Sequence, residues 1–244
     1  MVSGKYAALS GAIAREQALD NVASNLANVN TTGFKKNRIS FESILRESRQ
    51  ITHAKGINYS RIRHIGTDHS QGSMQETGNP LDLAIEGEGF FKLDKAGASY
   101  YTRSGHFMLD QNGMVTTADG YNLVGRGNAP LKLPDAAGRT IVISQNGTIS
   151  VDGIASGKQV QLYTVEDQQQ LKKVGNTRFQ LDQGNDLPMQ EFQVLQGRLE
   201  TSNVNMMEEM AVMINTQRKF EADMKVLNNY STLSDKQDEL GSVG

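Results

Sequence analysis

Met206, Met210, Met213, Gln217, Phe220, Met224 and Leu227 follow one another at alternating spacings of four and three residues. Such spacings put all seven on one stripe of a helix, and Met207, Ala211 and Ile214 widen it. A helix with a stripe of this kind needs a partner. Near the other end of the chain, Leu19, Val22, Leu26 and Val29 follow at spacings of three, four and three. Farther back that stripe weakens into Ala8, Ala12 and Arg15. Neither helix has a core beside it in sequence, because a polar stretch follows the first and a strand-rich stretch precedes the second. The economical solution pairs the two ends as a coiled coil, within one chain or between subunits, with part of the order gained only on assembly.

The chain between them has two textures. Residues 34–80 are polar and poor in aromatics, without a sustained period, and read as an extended linker with short strands. From Leu81, runs such as LDLAIEGEGFFKLD and TIVISQNGTISVDG are short and strand-like, broken by Gly, Asn and Asp. QNGMVTTADG at 111–120 and QNGTISVDG at 145–153 form an internal repeat. Each copy reads as a hairpin tip followed by a strand, with Asn-Gly suited to a type I′ turn. The expected fold is therefore α+β: a helix over 1–33, the linker over 34–80, an all-β meander or small barrel over 81–198, and a helix over 199–244. Ser202 or Asn203 is the expected N-cap of that last helix, with Glu208 and Glu209 favourably placed in its early turns.

Composition narrows the function classes. With 37% hydrophobic residues, 21% charged and a formal net charge of −2, the chain reads as globular. The Lys/Arg excess in residues 1–65 is scattered, which argues against nucleic-acid binding. Neither membrane insertion nor a cleaved signal peptide is expected, since Lys5, Ser10, Gly11 and Arg15 interrupt the first twenty residues. There is no cysteine, which removes thiol chemistry and disulfides.

No catalytic, cofactor or metal site is expected. His53, His64, His69 and His106 lack metal-ligand spacing. Asp68-His69-Ser70 has the residue types of a catalytic triad, but neighbours in sequence cannot stack in the required geometry. Gly87-Glu88-Gly89 lacks the rest of a dinucleotide fingerprint. Asp110-Gln111-Asn112-Gly113 lacks the ligand pattern of a calcium loop and fits a turn better. The methionines of the last helix also allow a second reading, a binding module with an apolar groove for a peptide or small ligand.

The two ends together carry a resemblance. NLANVNTTGFKK at 25–36 resembles the N-terminal signature of the bacterial flagellar axial proteins, the family of rod, hook and hook-associated proteins. LETSNVNMMEEMAVMINTQRKFEADMKVL at 199–227 is similar to its C-terminal signature, and LDLAIEGEGFF at 81–91 to its β domain. The resemblance implies a structural subunit of the basal-body rod, exported unfolded through the flagellar type III apparatus without a cleaved signal. It would polymerise with its own copies and other axial proteins into a helical tube. Leu19, Val22, Leu26 and Val29 would then pack against the stripe from Met206 to Leu227. Asn25, Asn28, Thr32, Gly33 and Phe34 would form a junction releasing the chain from the inner helix, with Gly33 as helix C-cap and Lys35-Lys36 near the helix's negative end. The start SGKYAALSGAIAREQALDNVASNLANVN looks more like proximal than distal rod proteins, and the chain is short for a hook protein. The distal rod and hook-type proteins remain alternatives.

Overall fold

A computed structural model describes residues 2–45, 58–134, 136, 138–182 and 184–241, and the chain divides into two compact units. The first comprises Met1–Ala27, Asn37–Asp68 and Asn205–Gly244; the second comprises Asn28–Lys36 and His69–Val204.

In the first unit the helices α1 (Val2–Ala27) and α2 (Met206–Gly241) lie side by side. Gly4 adjoins Tyr230, Gly11 adjoins Asp223, and Asn25 bonds Glu209. Numbers rise along α1 as they fall along α2, in matching steps of seven, so the pair is antiparallel. α2 starts at Asn205, whose Oδ1 accepts from the N–H groups of Met207 (3.1 Å) and Glu208 (3.3 Å). That corrects the expected cap: Asn205 takes the role assigned to Ser202 or Asn203, because its carboxamide is the one in reach of the first free N–H groups. The stretch read as an extended linker with short strands contributes a two-stranded antiparallel hairpin to this unit. Its strands are β1 (Asn37–Leu45) and β2 (Asn58–Thr67), with a register shift between Ser40 and Phe41.

The second unit is all-β. Strand β3 (Met74–Glu76) pairs with Arg198–Glu200, and β4 (Leu83–Glu86) with Gln193–Gln196. Strands β5 (Phe90–Lys95) and β6 (Ala98–Thr102) run through the middle of a nine-stranded sheet whose ordered path ends at Leu171–Lys173 and Met108–Leu109. Among the described residues that path is open. The unit is a set of hairpin-built sheets and not the closed small barrel that was one expectation. Alternation along β5 splits the apolar residues. Phe91 and Leu93 join the larger core with Leu83, Ile85 and Leu162, while Phe90 joins Tyr101, Tyr163 and Phe179.

Both repeat copies fold as hairpin tips, but not as type I′ turns. Gly113 N–H donates to Asp110 O (3.0 Å) and Gly147 N–H to Ser144 O (2.8 Å). Only the glycine of each Asn-Gly has positive φ, +74° and +81°. The asparagine stays right-handed and the glycine takes the left-handed position after a type I turn, the three-residue hairpin arrangement. The two-residue type I′ geometry falls instead on Asp152 (φ 51°) and Gly153 (φ 79°).

Candidate assembly junction

The contact seam of the helix pair differs from the expected apolar stripes. On α1 the residues Gly11, Ala14, Ala18, Val22 and Asn25 are buried, whereas Leu19 and Leu26 are half-buried; Val29, also half-buried, lies past the helix end at Ala27, which corrects its expected place on this helix. On α2, Glu209 is buried and Met213, Thr216, Phe220, Asp223, Leu227 and Tyr230 are half-buried. Met206, Met210, Gln217 and Met224 are exposed. Met213, Phe220 and Leu227 thus belong to both stripes, but the second row of the seam is polar and aromatic. The cause is glycine on α1. A methyl group on Gly4 would lie 2.5 Å from Tyr230 Oη, and one on Gly11 3.0 Å from Asp223 Oδ2. With no side chain there, α1 admits the larger groups of α2, and Arg15 Nε donates to Asp223 Oδ2 at 2.6 Å.

Asn25 is 1% exposed and holds three groups at once. Its Oδ1 accepts from Asn37 N–H (3.0 Å), while its Nδ2 donates to Asn37 O (3.0 Å) and to Glu209 Oε2 (3.3 Å). The start of β1 is therefore tied to both helices by one amide.

In the second unit, Asn28–Lys36 is stitched to the segment before α2. Asn28 is buried, its carbonyl accepts from Thr31 N–H (3.1 Å), and Thr32 Oγ1 lies 3.4 Å from Ser104 Oγ. α1 has already ended at Ala27, so Gly33 is not its C-cap. Gly33 is instead the third residue of a turn closed by Phe34 N–H on Thr31 O (3.3 Å), with φ +70°. Its N–H donates to Glu200 O at 2.8 Å.

Lys35 departs furthest from expectation. Its side chain is 1% exposed, and Nζ lies 2.5 Å from Glu200 Oε1, itself on a fully buried carboxylate, and 2.7 Å from Ser70 O. Arg103 Nη1 approaches Glu200 Oε2 at 3.3 Å, and Gly72 N–H donates to Oε1 at 2.9 Å. One carboxylate thus serves two buried cations. Burial lowers the Arg103 pKa, and Glu200 opposes that shift. Asn203 Oδ1 accepts from Lys36 N–H (2.8 Å), and its Nδ2 donates to Ser70 O (3.1 Å). Among the sequence signals, only the proximity of Lys35 to Gly33 and of Glu200 to Asn203 within the two end motifs pointed here.

Phe34 is buried beneath Lys173, whose Nζ is 3.9 Å from the ring centroid and donates to Lys35 O (2.8 Å). Desolvation lowers the Lys173 pKa to about 8 from its ordinary 10.5. Between those values the unfolded chain holds the proton that the folded one has released, so stability rises with pH. Denaturant midpoints taken from pH 8 to 10 should rise more steeply for the parent than for Lys173→Met. Parallel profiles would contradict this.

The remaining candidates are structural. His69 packs edge-to-face against Phe90 and tilted against Phe179, with centroids 5.6 and 5.3 Å away. His106 Nδ1 pairs with Asp82 Oδ1 at 2.8 Å, His64 is exposed on β2, and His53 lies outside the described residues. Asp110 Oδ1 accepts from the N–H groups of Asn112 (2.8 Å) and Met114 (2.7 Å), closing its own turn. Among the described residues no three His, Asp or Glu side chains cluster for a metal, and no helix is long and apolar enough to cross a membrane. A cavity of about 630 Å³ is lined by residues including Lys92, Gln161, Tyr163 and Asp186, and no methionine of α2 lines it.

Three family models match the chain in order. They are described as flagella basal body rod protein (residues 6–35), flagellar hook protein FlgE/F/G D1 domain (84–151) and flagellar basal body rod FlgEFG protein C-terminal (195–240). The flagellar basal-body rod protein FlgG of Bacillus subtilis is 31% identical over 93% of this chain and 94% of its own length. FlgF of Mesorhizobium japonicum is 30% identical over 97% and 96%, and FlgG of Buchnera aphidicola from Acyrthosiphon pisum 30% over 98% and 100%. Relatives of both names match equally well, so the likeness identifies a family without choosing a member. The first and last matches cover the two motifs whose residues meet at Lys35 and Glu200, and the chain belongs to the flagellar basal-body rod protein family.

Proposed function

We propose that this chain is a structural subunit of the bacterial flagellar rod, not an enzyme, and that it resides in the basal body. The observation that carries this reading is the antiparallel α1–α2 pair, which leaves much of its apolar surface outside its own seam. Burying one such side chain contributes roughly 1.5–3 kcal/mol, against about 1–2 kcal/mol of backbone entropy for each residue ordered. Neighbours in a polymer would add to the favourable side.

In this reading the pair continues as a coiled coil. Leu19, Val22, Leu26 and Val29 pack with Met206, Met210, Met213, Gln217, Phe220, Met224 and Leu227, partly within one subunit and partly between subunits. The partners are further copies and other axial proteins, and the chain reaches them through the flagellar type III export apparatus. The sequence of the first helix favours the proximal rod. Labelling isolated basal bodies against proximal and distal rod markers tests the position, and label outside the basal body would overturn the reading. Met213→Asp introduces a charge on the helix seam. It should abolish incorporation while the β unit retains its parental unfolding transition, and normal incorporation would count against packing through this seam.

A further inference from the structure

The cavity lined by Lys92 and Gln161 has a neighbour in the β unit. A second cavity, of about 590 Å³, takes in Glu86, Asn146, Glu191 and Gln193, and it shares Gln159, Gln190 and Phe192 with the first. The two thus form one groove that meets at Phe192. Each volume lies in the range of small-ligand sites.

The groove carries carboxamides from Asn128, Asn146, Gln159, Gln161, Gln190 and Gln193. A carboxamide donates and accepts hydrogen bonds at once, as a sugar hydroxyl does. An anion asks only for donors, and an apolar ligand would leave every amide unpaired. Some of these groups are set before a ligand arrives. Gln161 is 7% exposed, and its Nε2 donates to Leu162 O (3.0 Å) and Met189 O (2.7 Å), which leaves Oε1 to accept from a ligand. Gln159 Nε2 donates to Asn146 O (2.7 Å), while its Oε1 accepts from Arg126 Nη1 (3.2 Å). Fixed amide planes reduce the ordering that binding requires. Charge selects against an acidic ligand. Lys92 is paired with Asp186 at 2.6 Å, and Arg126 in the first cavity is offset by Glu86 and Glu191 in the second. Phe192, with Pro188 and Met189, supplies apolar surface for the C–H face of a pyranose ring.

We propose that this groove binds a neutral oligosaccharide of two or three rings laid across Phe192. The inference does not rest on the rod reading. Calorimetric titration of the full chain with N,N′,N″-triacetylchitotriose and with maltotriose tests it. At least one trisaccharide should bind saturably at one site, and its monosaccharide, N-acetylglucosamine or glucose, should bind more weakly because it reaches only one cavity. Asn128→Gly with Gln190→Ala removes two exposed carboxamides, and glycine keeps the φ of 59° at position 128. Two lost hydrogen bonds should weaken binding by about tenfold or more. Gln190→Ala alone serves the same purpose if the double variant fails to fold, since Gln190 borders both cavities. Gln180→Ala, which removes an exposed carboxamide outside the groove, should leave binding unchanged. Four results would each overturn the proposal: neither trisaccharide binds, a monosaccharide binds as tightly, the groove variants bind like the parent, or inorganic phosphate displaces the sugar.

Discussion

Glu200→Ala should destabilise the second unit by about 3–5 kcal/mol, the range for removing one partner of a buried ion pair. Lys35 and Arg103 are 0% and 4% exposed, so neither ammonium nor guanidinium gains water when the carboxylate is lost. Three acceptor contacts disappear together, from Lys35 Nζ, Arg103 Nη1 and Gly72 N–H. Lys35→Met should be milder, since it removes a cation and leaves Glu200 with Arg103 and Gly72. Urea unfolding of the full chain, followed by a probe of the β unit, measures both. A Glu200→Ala loss below about 1 kcal/mol, the scale of an exposed pair, would contradict the buried network.

Gly33→Ala should be comparably damaging, through two effects of about 1–3 kcal/mol each: a left-handed backbone at a residue with a side chain, and forced overpacking. At φ +70° the new methyl would lie 2.2 Å from Ser104 N and 2.5 Å from Arg103 C, and backbone atoms cannot swing aside as a flexible side chain can. Asparagine separates the two effects because it tolerates the left-handed region but still carries Cβ. Gly33→Asn should stay strongly destabilised. Gly78→Asn should be nearly neutral, since Gly78 has φ +72° but nothing within 4 Å of its missing methyl. Recovery of stability in Gly33→Asn would show that conformation alone requires glycine there.

The helices were legible because heptad spacing survives ignorance of the partner. Their contact face was less so. A reading that follows large apolar residues passes over Gly4, Gly11 and Ala18, although the absence of a side chain is what lets Tyr230 and Asp223 into the seam. Hence Met213, Phe220 and Leu227 were placed on the contact face, while Met206, Met210 and Met224 proved exposed. The meander of hairpins could be read from its turn residues, though not its turn types, because Asn-Gly suits more than one. The hairpin β1–β2 has no clean alternation, so its stretch reads as an extended linker with short strands, without the pairing of the two strands. Lys35 was misjudged because a lysine is exposed by default, and its carboxylate stands 165 positions later.

That separation has a consequence in time. Whichever end of the chain leads into the place where it folds, Lys35 or Glu200 must wait while the 165-residue separation between them is delivered. Contacts so remote in sequence close late and slowly. Until they close, the turn at Gly33 lacks its bond to the Glu200 carbonyl. The ion pair therefore acts as a completion signal, fixing the junction only in a molecule whose β unit has arrived almost whole.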